Sequence, residues 1–200
     1  MLSYRGSANK RNWEEDFNFE VVRYPRCKDC WIHAGFYFDY SVLSLKMYEQ
    51  IDKLLAKYEV RRFVATGHSL GGALALVAGT EVKMNYGDKF SVEVHTFGQP
   101  RVGEANLAQF MKSKLDTVFR VVHNRDIVPH VPFERLKYVH VPTEILFSED
   151  MSTYKVCNDS GEDPSCSNRF YPEYSHTDHD LYFFEIDGKA NCKLTEEKSE

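Results

Sequence analysis

The stretch Gly67-His68-Ser69-Leu70-Gly71-Gly72-Ala73-Leu74-Ala75 constrains this chain more than any other. An apolar run, Phe63-Val64-Ala65, ends just before it, and a run of alanines and leucines follows. The pattern predicts a buried strand turning directly into a helix from about Leu70 to Asn85. Serine ahead of a helix is ordinarily an N-cap, with no chemistry implied. Here glycines stand two positions before and two after Ser69, where a sharp turn leaves no room for side chains. Gly72, Ala73 and Ala75 keep the new helix thin enough to lie close to a sheet. Such a turn exposes the serine hydroxyl, aims the helix amino end at it, and directs the Leu70 N–H at a developing oxyanion. Ser69 is therefore a candidate nucleophile and Leu70 a candidate oxyanion donor.

A serine hydroxyl is a weak nucleophile and needs a base, itself oriented by an acid. After a turn of this kind the chain order is serine, acid, histidine. Asp126 is the candidate acid: it follows the apolar run Val118 to His123 and sits in a loop stiffened by Pro129 and Pro132. His130 and His140 lie too near that acid or in extended chain. His176 and His179 both remain open as the base. Their spacing around Asp178 also admits a metal site, but such spacing alone rarely makes one, and no metal is expected.

The rest of the chain supplies strands at Leu2–Tyr4, Asn18–Tyr24 and Ser91–Phe97, helices at Phe36–Tyr58 and Glu104–Leu115, and extended chain over Tyr138–Phe147. Ala8–Phe17 is a polar segment of helical character. Alternating strands and helices predict an α/β fold with a largely parallel central sheet and its active site at the carboxyl ends of the strands. Two hundred residues suit one domain, placed at 1–192, with a charged tail over 193–200. A net charge of -5 offers nothing to nucleic acid or an anionic membrane. No apolar stretch approaches the roughly 20 residues of a membrane span. The opening Met1-Leu2-Ser3-Tyr4-Arg5 has no apolar signal segment.

The cysteines form two close pairs, Cys27 with Cys30 and Cys157 with Cys166, and leave Cys192 over. Structural disulfides and an oxidising compartment are expected. A redox motif would start a helix inside Cys27-Lys28-Asp29-Cys30, which instead follows Tyr24-Pro25 in a loop. A zinc site would need a second pair closer than Cys157 and Cys166.

Four motifs together resemble the class 3, fungal-type lipase and feruloyl esterase family of α/β-hydrolases. They are Tyr4-Arg5-Gly6-Ser7 followed by Asn12-Trp13, Gly67-His68-Ser69-Leu70-Gly71-Gly72, Thr96-Phe97-Gly98-Gln99-Pro100-Arg101-Val102-Gly103, and Asn124-Arg125-Asp126-Ile127-Val128-Pro129. The closing His179-Asp180-Leu181-Tyr182-Phe183 is similar to the family's His-x-x-Tyr-Phe. The resemblance implies an α/β-hydrolase fold with helices on both faces of the sheet and a short lid helix. It implies a catalytic triad of Ser69, Asp126 and His179, with Ser7 as the second oxyanion donor. Ala8–Phe17 takes the place of the lid, so Trp13 and Phe17 join His68, Val128, Val131 and Pro132 as lid or substrate residues. Cys157 and Cys166 match a family disulfide in spacing; Cys27 and Cys30 are expected to pair with each other and Cys192 to have no intramolecular partner. The segment from Cys27 to Phe36 looks more like the feruloyl esterases than like many lipases.

The implied activity is carboxylic ester hydrolysis by a secreted or lumenal monomer without cofactor. The substrate would be an acylglycerol, met at a lipid–water interface, or else a feruloyl or short-chain ester. A non-catalytic binding protein on the same fold is the rival of another class. Family members carry a secretion signal and an amino-terminal helix and strands ahead of the Arg-Gly motif, so this chain is expected to lack that part of the fold.

Overall fold

The computed structural model of the chain describes residues 1–6 and 19–185. In chain order its elements are β1 (Leu2–Tyr4), β2 (Val21–Arg23), β3 (Trp31–His33), α1 (Ala34–Lys57), β4 (Arg62–His68), α2 (Leu70–Tyr86), β5 (Ser91–Phe97) and β6 (Gly103–Glu104). There follow α3 (Ala105–Lys114), β7 (Thr117–His123), β8 (Tyr138–Val139), β9 (Glu144–Phe147), β10 (Tyr154–Val156), α4 (Thr177–Asp180), β11 (Leu181–Tyr182) and β12 (Phe184–Glu185).

The main sheet runs β1-β4-β5-β7-β9-β10. All its pairs are parallel except β9 with β10. After the exposed Arg62, β4 alternates between buried and half-buried residues, and β5 does so throughout, as strands covered more completely on one face do. α2 packs against β1, β4 and β5 and is flanked by α1 and α3. Its residues Gly71 to Val82 are buried on every side, which explains a composition that is apolar all round rather than striped. A second sheet, β2-β3-β6-β8, stands apart from the first.

The elements expected from the sequence are present, with three differences. The strand expected over Asn18–Tyr24 is only Val21–Arg23. The extended chain over Tyr138–Phe147 is split between the two sheets, with Pro142, which has no N–H to give a ladder, in the gap. α1 starts two residues earlier than its apolar spacing suggested, because His33 caps it: the His33 Nδ1 accepts the Phe36 N–H at 3.3 Å. β3, β10 and the α4–β11–β12 segment went unread, being too short to show a period. Disulfides join Cys27 to Cys30, in the turn between β2 and β3, and Cys157 to Cys166, in the loop after β10. Among the described residues no helix is long and apolar enough to cross a membrane. The segment expected to be the lid, and Cys192, lie outside the described residues.

Four imidazoles, three buried and His68 half-buried, give the fold a pH dependence. Burial lowers His33, His68 and His130 from 6.5 to about 4, and His140 well below its usual value. These groups stay neutral when folded, whereas the unfolded chain takes up their protons below its own pKa. Their stabilisation is thus complete above pH 6.5 and is lost as pH falls toward 4. Each contributes a slope of at most about 1.4 kcal/mol per pH unit in that window. Urea unfolding at pH 7 and at pH 5 should therefore give a clearly smaller unfolding free energy at the lower pH; equal values would contradict the neutral assignment.

Candidate active site

Ser69 stands at the junction of β4 and α2, with φ 57° and ψ -129°. Non-glycine residues seldom adopt such a conformation, and it persists only where the surroundings enforce it. The enforcement is visible. The Ser69 N–H donates to the Phe97 carbonyl at the end of β5 at 2.9 Å. A Cβ on Gly67 would come within 2.2 Å of the Gly71 carbonyl oxygen, and one on Gly71 within 2.3 Å of the Tyr4 carbonyl oxygen. The turn therefore admits glycine alone at both flanks. The Ser69 side chain makes no capping hydrogen bond, so its hydroxyl is not consumed by the role that serine usually plays at this position. Leu70 opens the helix, and an N–H at that position has no carbonyl of its own helix to bond. A Cβ on Gly6 would lie 3.5 Å from the Ser69 Cβ, so the carboxyl end of β1 runs against this turn. Ser7, Trp13 and Phe17 follow outside the described residues.

Asp126 follows β7 and has no solvent exposure. Its Oδ2 accepts from the His179 Nδ1 at 2.9 Å and from the Tyr182 hydroxyl at 2.6 Å; its Oδ1 accepts the Val128 N–H at 2.8 Å. Burial pushes this carboxyl up, but the His179 charge and the three hydrogen bonds outweigh it and hold the pKa below the ordinary aspartate value. Tyr182 is itself buried beside Asp126, which drives its hydroxyl well above the usual tyrosine pKa, so it is a neutral donor.

The histidine is delivered by α4. The Asp178 carboxylate accepts from the Asn124 Nδ2 at 2.9 Å, the Arg125 N–H at 3.1 Å and the Ser175 hydroxyl at 2.8 Å. Asp126 and Ser175 are further bridged through their backbones. These contacts dock α4 onto the end of β7. His179 then faces Asp126, whereas His176 is solvent-exposed. His68, expected at the substrate, lies against His179 instead. The two rings stack at 4.4 Å, and the His68 Nε2 donates to the His179 carbonyl at 2.8 Å. Burial and the neighbouring His179 lower the His68 pKa to about 4, leaving a neutral ring with its proton on Nε2. Val128 has no exposed surface; it supports the carboxylate through its backbone rather than offering a side chain to substrate. Pro132 is also buried, and Val131 half-buried.

Tyr182, Asp178 and Gly98 received no role from the sequence alone. A tyrosine three residues after the histidine was the available signal for the first. Gly98 has φ 55°, and a Cβ on it would lie 2.7 Å from the Asp126 Oδ2 and 2.9 Å from the His179 ring. Among the described residues, the single group at metal-ligand spacing is Glu144, Cys157 and Cys166, and both of its sulfurs are engaged in a disulfide.

Gly98→Ala should therefore displace the carboxylate–imidazole pair while leaving the sheet intact. A shift near 1 Å costs on the order of 10²-fold in rate. Covalent labelling of Ser69 by a fluorophosphonate, followed by intact mass, should slow accordingly with an unchanged circular dichroism spectrum. Unaltered labelling would show that the spacing at Gly98 is not critical.

The family model "Lipase (class 3)" matches residues 1–136. A lipase of Rhizomucor miehei is 33% identical over 185 residues, 91% of this chain and 51% of its own length. The secreted mono- and diacylglycerol lipase 1 of Fusarium solani is 33% identical over 144 residues, 72% of this chain and 42% of its own. A solved triacylglycerol lipase, described as having a serine protease triad as its catalytic centre, superposes with a TM-score of 0.84 at 33% identity, over 90% of this chain and 69% of that one. The chain spans about half the length of the curated relatives it matches. With the strained serine turn, the buried acid–histidine pair and these matches together, the chain belongs to the class 3 lipase family and has the α/β-hydrolase fold.

Proposed function

We propose that the chain is a secreted, monomeric serine carboxylic ester hydrolase that cleaves acylglycerols through an acyl-enzyme. Two observations carry this reading: a serine hydroxyl left uncapped on a strained turn, and an imidazole already hydrogen-bonded to a buried carboxylate. His179 takes the Ser69 proton as the oxygen attacks the ester carbonyl. Asp126 keeps the tautomer that donates through Nδ1, leaves Nε2 as the base, and stabilises the imidazolium that forms. The Leu70 N–H and Ser7 hold the oxyanion. His179 then protonates the departing alcohol, and water repeats the sequence to release the acid. The acylglycerol substrate is carried over from the relatives, which are named lipases and mono- and diacylglycerol lipases. Secretion is supported by the two disulfides and by the Fusarium relative, which is named as secreted.

One observation favours a second reading, a short-chain or feruloyl esterase. The expected lid, Ser7-Ala8-Asn9-Lys10-Arg11-Asn12-Trp13-Glu14-Glu15-Asp16-Phe17, is mostly polar, with five of its eleven residues charged. Trp13 and Phe17, four apart, are nearly all that it offers to lipid. Burying Trp13 is worth roughly 2–3 kcal/mol on the scale for large apolar side chains. The rate should accordingly rise little when a short-chain ester passes its solubility limit. A steep rise at the emulsion boundary would discard the second reading.

Ser69→Ala and His179→Ala should each lower kcat on a soluble nitrophenyl ester by about 10⁶-fold, as loss of a triad member does. His176→Ala should keep most activity. A folded Ser69→Ala variant with near-normal turnover would refute the mechanism, and full loss in a folded His176→Ala would assign the base to the wrong histidine.

A further inference from the structure

Arg101 is 2% exposed, yet its guanidinium has an uncommon number of partners. Nε and Nη2 form a two-pronged pair with the Glu162 carboxylate at 2.7 and 2.8 Å. Nη1 donates to the carbonyls of His130 at 2.7 Å and Pro132 at 3.0 Å. Nη2 also reaches Glu134 at 3.3 Å, and the Arg101 backbone N–H donates to the Val131 carbonyl at 2.9 Å. Four residues of the loop after Asp126 are thus gripped by one side chain and its own backbone. Glu162 is anchored in turn by the His140 N–H at 2.9 Å and the Asn168 Nδ2 at 3.1 Å. It lies inside the loop closed by Cys157 and Cys166. A second brace runs alongside, from the His140 Nε2 to the Pro129 carbonyl at 2.6 Å.

This clamp does not touch the reacting groups. Asp126 has its own three donors, and Arg101 binds Glu162 and residues further along the loop from Asp126. Stability alone does not account for the clamp, because apolar residues of similar volume often replace a buried ion pair at no cost. What an apolar pair cannot do is fix the path of the backbone. The inward-pointing carbonyls of His130 and Pro132 are both met by this charged donor, and the neighbouring Phe133 to Lys137 are exposed.

We propose that Arg101 is a positioning residue for substrate selection: by tying the His130 and Pro132 carbonyls to Glu162, it fixes the path of the loop that continues from Asp126 and Val128 and so sets which acyl chains the site accepts. The proposal rests on the ester-hydrolase reading above. Arginine is required because its planar fork serves the carboxylate with one edge and the carbonyls with the other, which a lysine ammonium cannot do.

The test compares the chain with Arg101→Lys and with the double variant Arg101→Met/Glu162→Met, which removes both charges together and leaves neither buried alone. Each is assayed on p-nitrophenyl butyrate and p-nitrophenyl laurate, and for fluorophosphonate labelling of Ser69. Both variants should shift the laurate-to-butyrate ratio of kcat/KM by about tenfold, the scale on which apolar pockets discriminate, while labelling rates stay within about twofold. A parallel fall in both esters and in labelling would mean a merely structural role and would overturn the proposal, as would unchanged ratios. An Arg101→Lys variant with the original ratio would show that charge alone suffices and would overturn the carbonyl anchoring, even if the double variant fails to fold. A parent chain that neither labels nor turns over either ester would overturn the hydrolase reading itself, a result distinct from all of these.

Discussion

A carboxylate with no access to water stays ionised only if donors replace the solvent it has lost. Asp126 obtains three, and each comes from a different part of the architecture. Val128 belongs to its own loop, His179 to the short helix α4, and Tyr182 to β11. Satisfying that single charge therefore draws the last described segment of the chain onto the end of β7. The contacts that dock α4, through Asp178 to Asn124 and Arg125, make the same join from the other side. Stability and site assembly are here one requirement, since a structure that left Asp126 unpaired would bear a buried charge without compensation.

The turn at Ser69 is the complementary constraint. Its backbone strain is held by the flanking close contacts and by β5, which receives the Ser69 N–H. α2 can enforce this only because it is buried on every side and cannot relax outward. The histidine is braced similarly, from behind. His68 adjoins Ser69 in sequence and stacks on His179 in space. A single dipeptide thus carries the candidate nucleophile and a support for its base, so that a shift in either would be felt by both.

Beyond the pair, the loop from Ile127 to Glu134 is shaped by groups that take no part in proton transfer. Arg101, Glu162 and His140 together meet the carbonyls of Pro129, His130 and Pro132. Buried polar groups of this kind choose one backbone path among several that a purely apolar packing would tolerate. The fungal lipases that this chain resembles over 90% of its length provide the context of family and fold.

The sequence by itself determined the serine turn, the order of strands and helices, and the acid. Glycine spacing around Ser69 and the period of the long elements are local properties, legible without coordinates. It also left two histidines equivalent on spacing, and only a motif resemblance preferred His179. Tertiary structure decided what depends on partners distant in sequence. It set the exposure of His176 against the burial of His179, stacked the His68 ring on His179, buried Val128, and gave Tyr182 its hydrogen bond across 56 positions. It also gathered Arg101, His130 and Glu162 around one guanidinium. The physical reason is the same in each case. A buried polar atom must find a partner, and which partner it finds is set by how sheets and loops pack, not by the residues on either side of it.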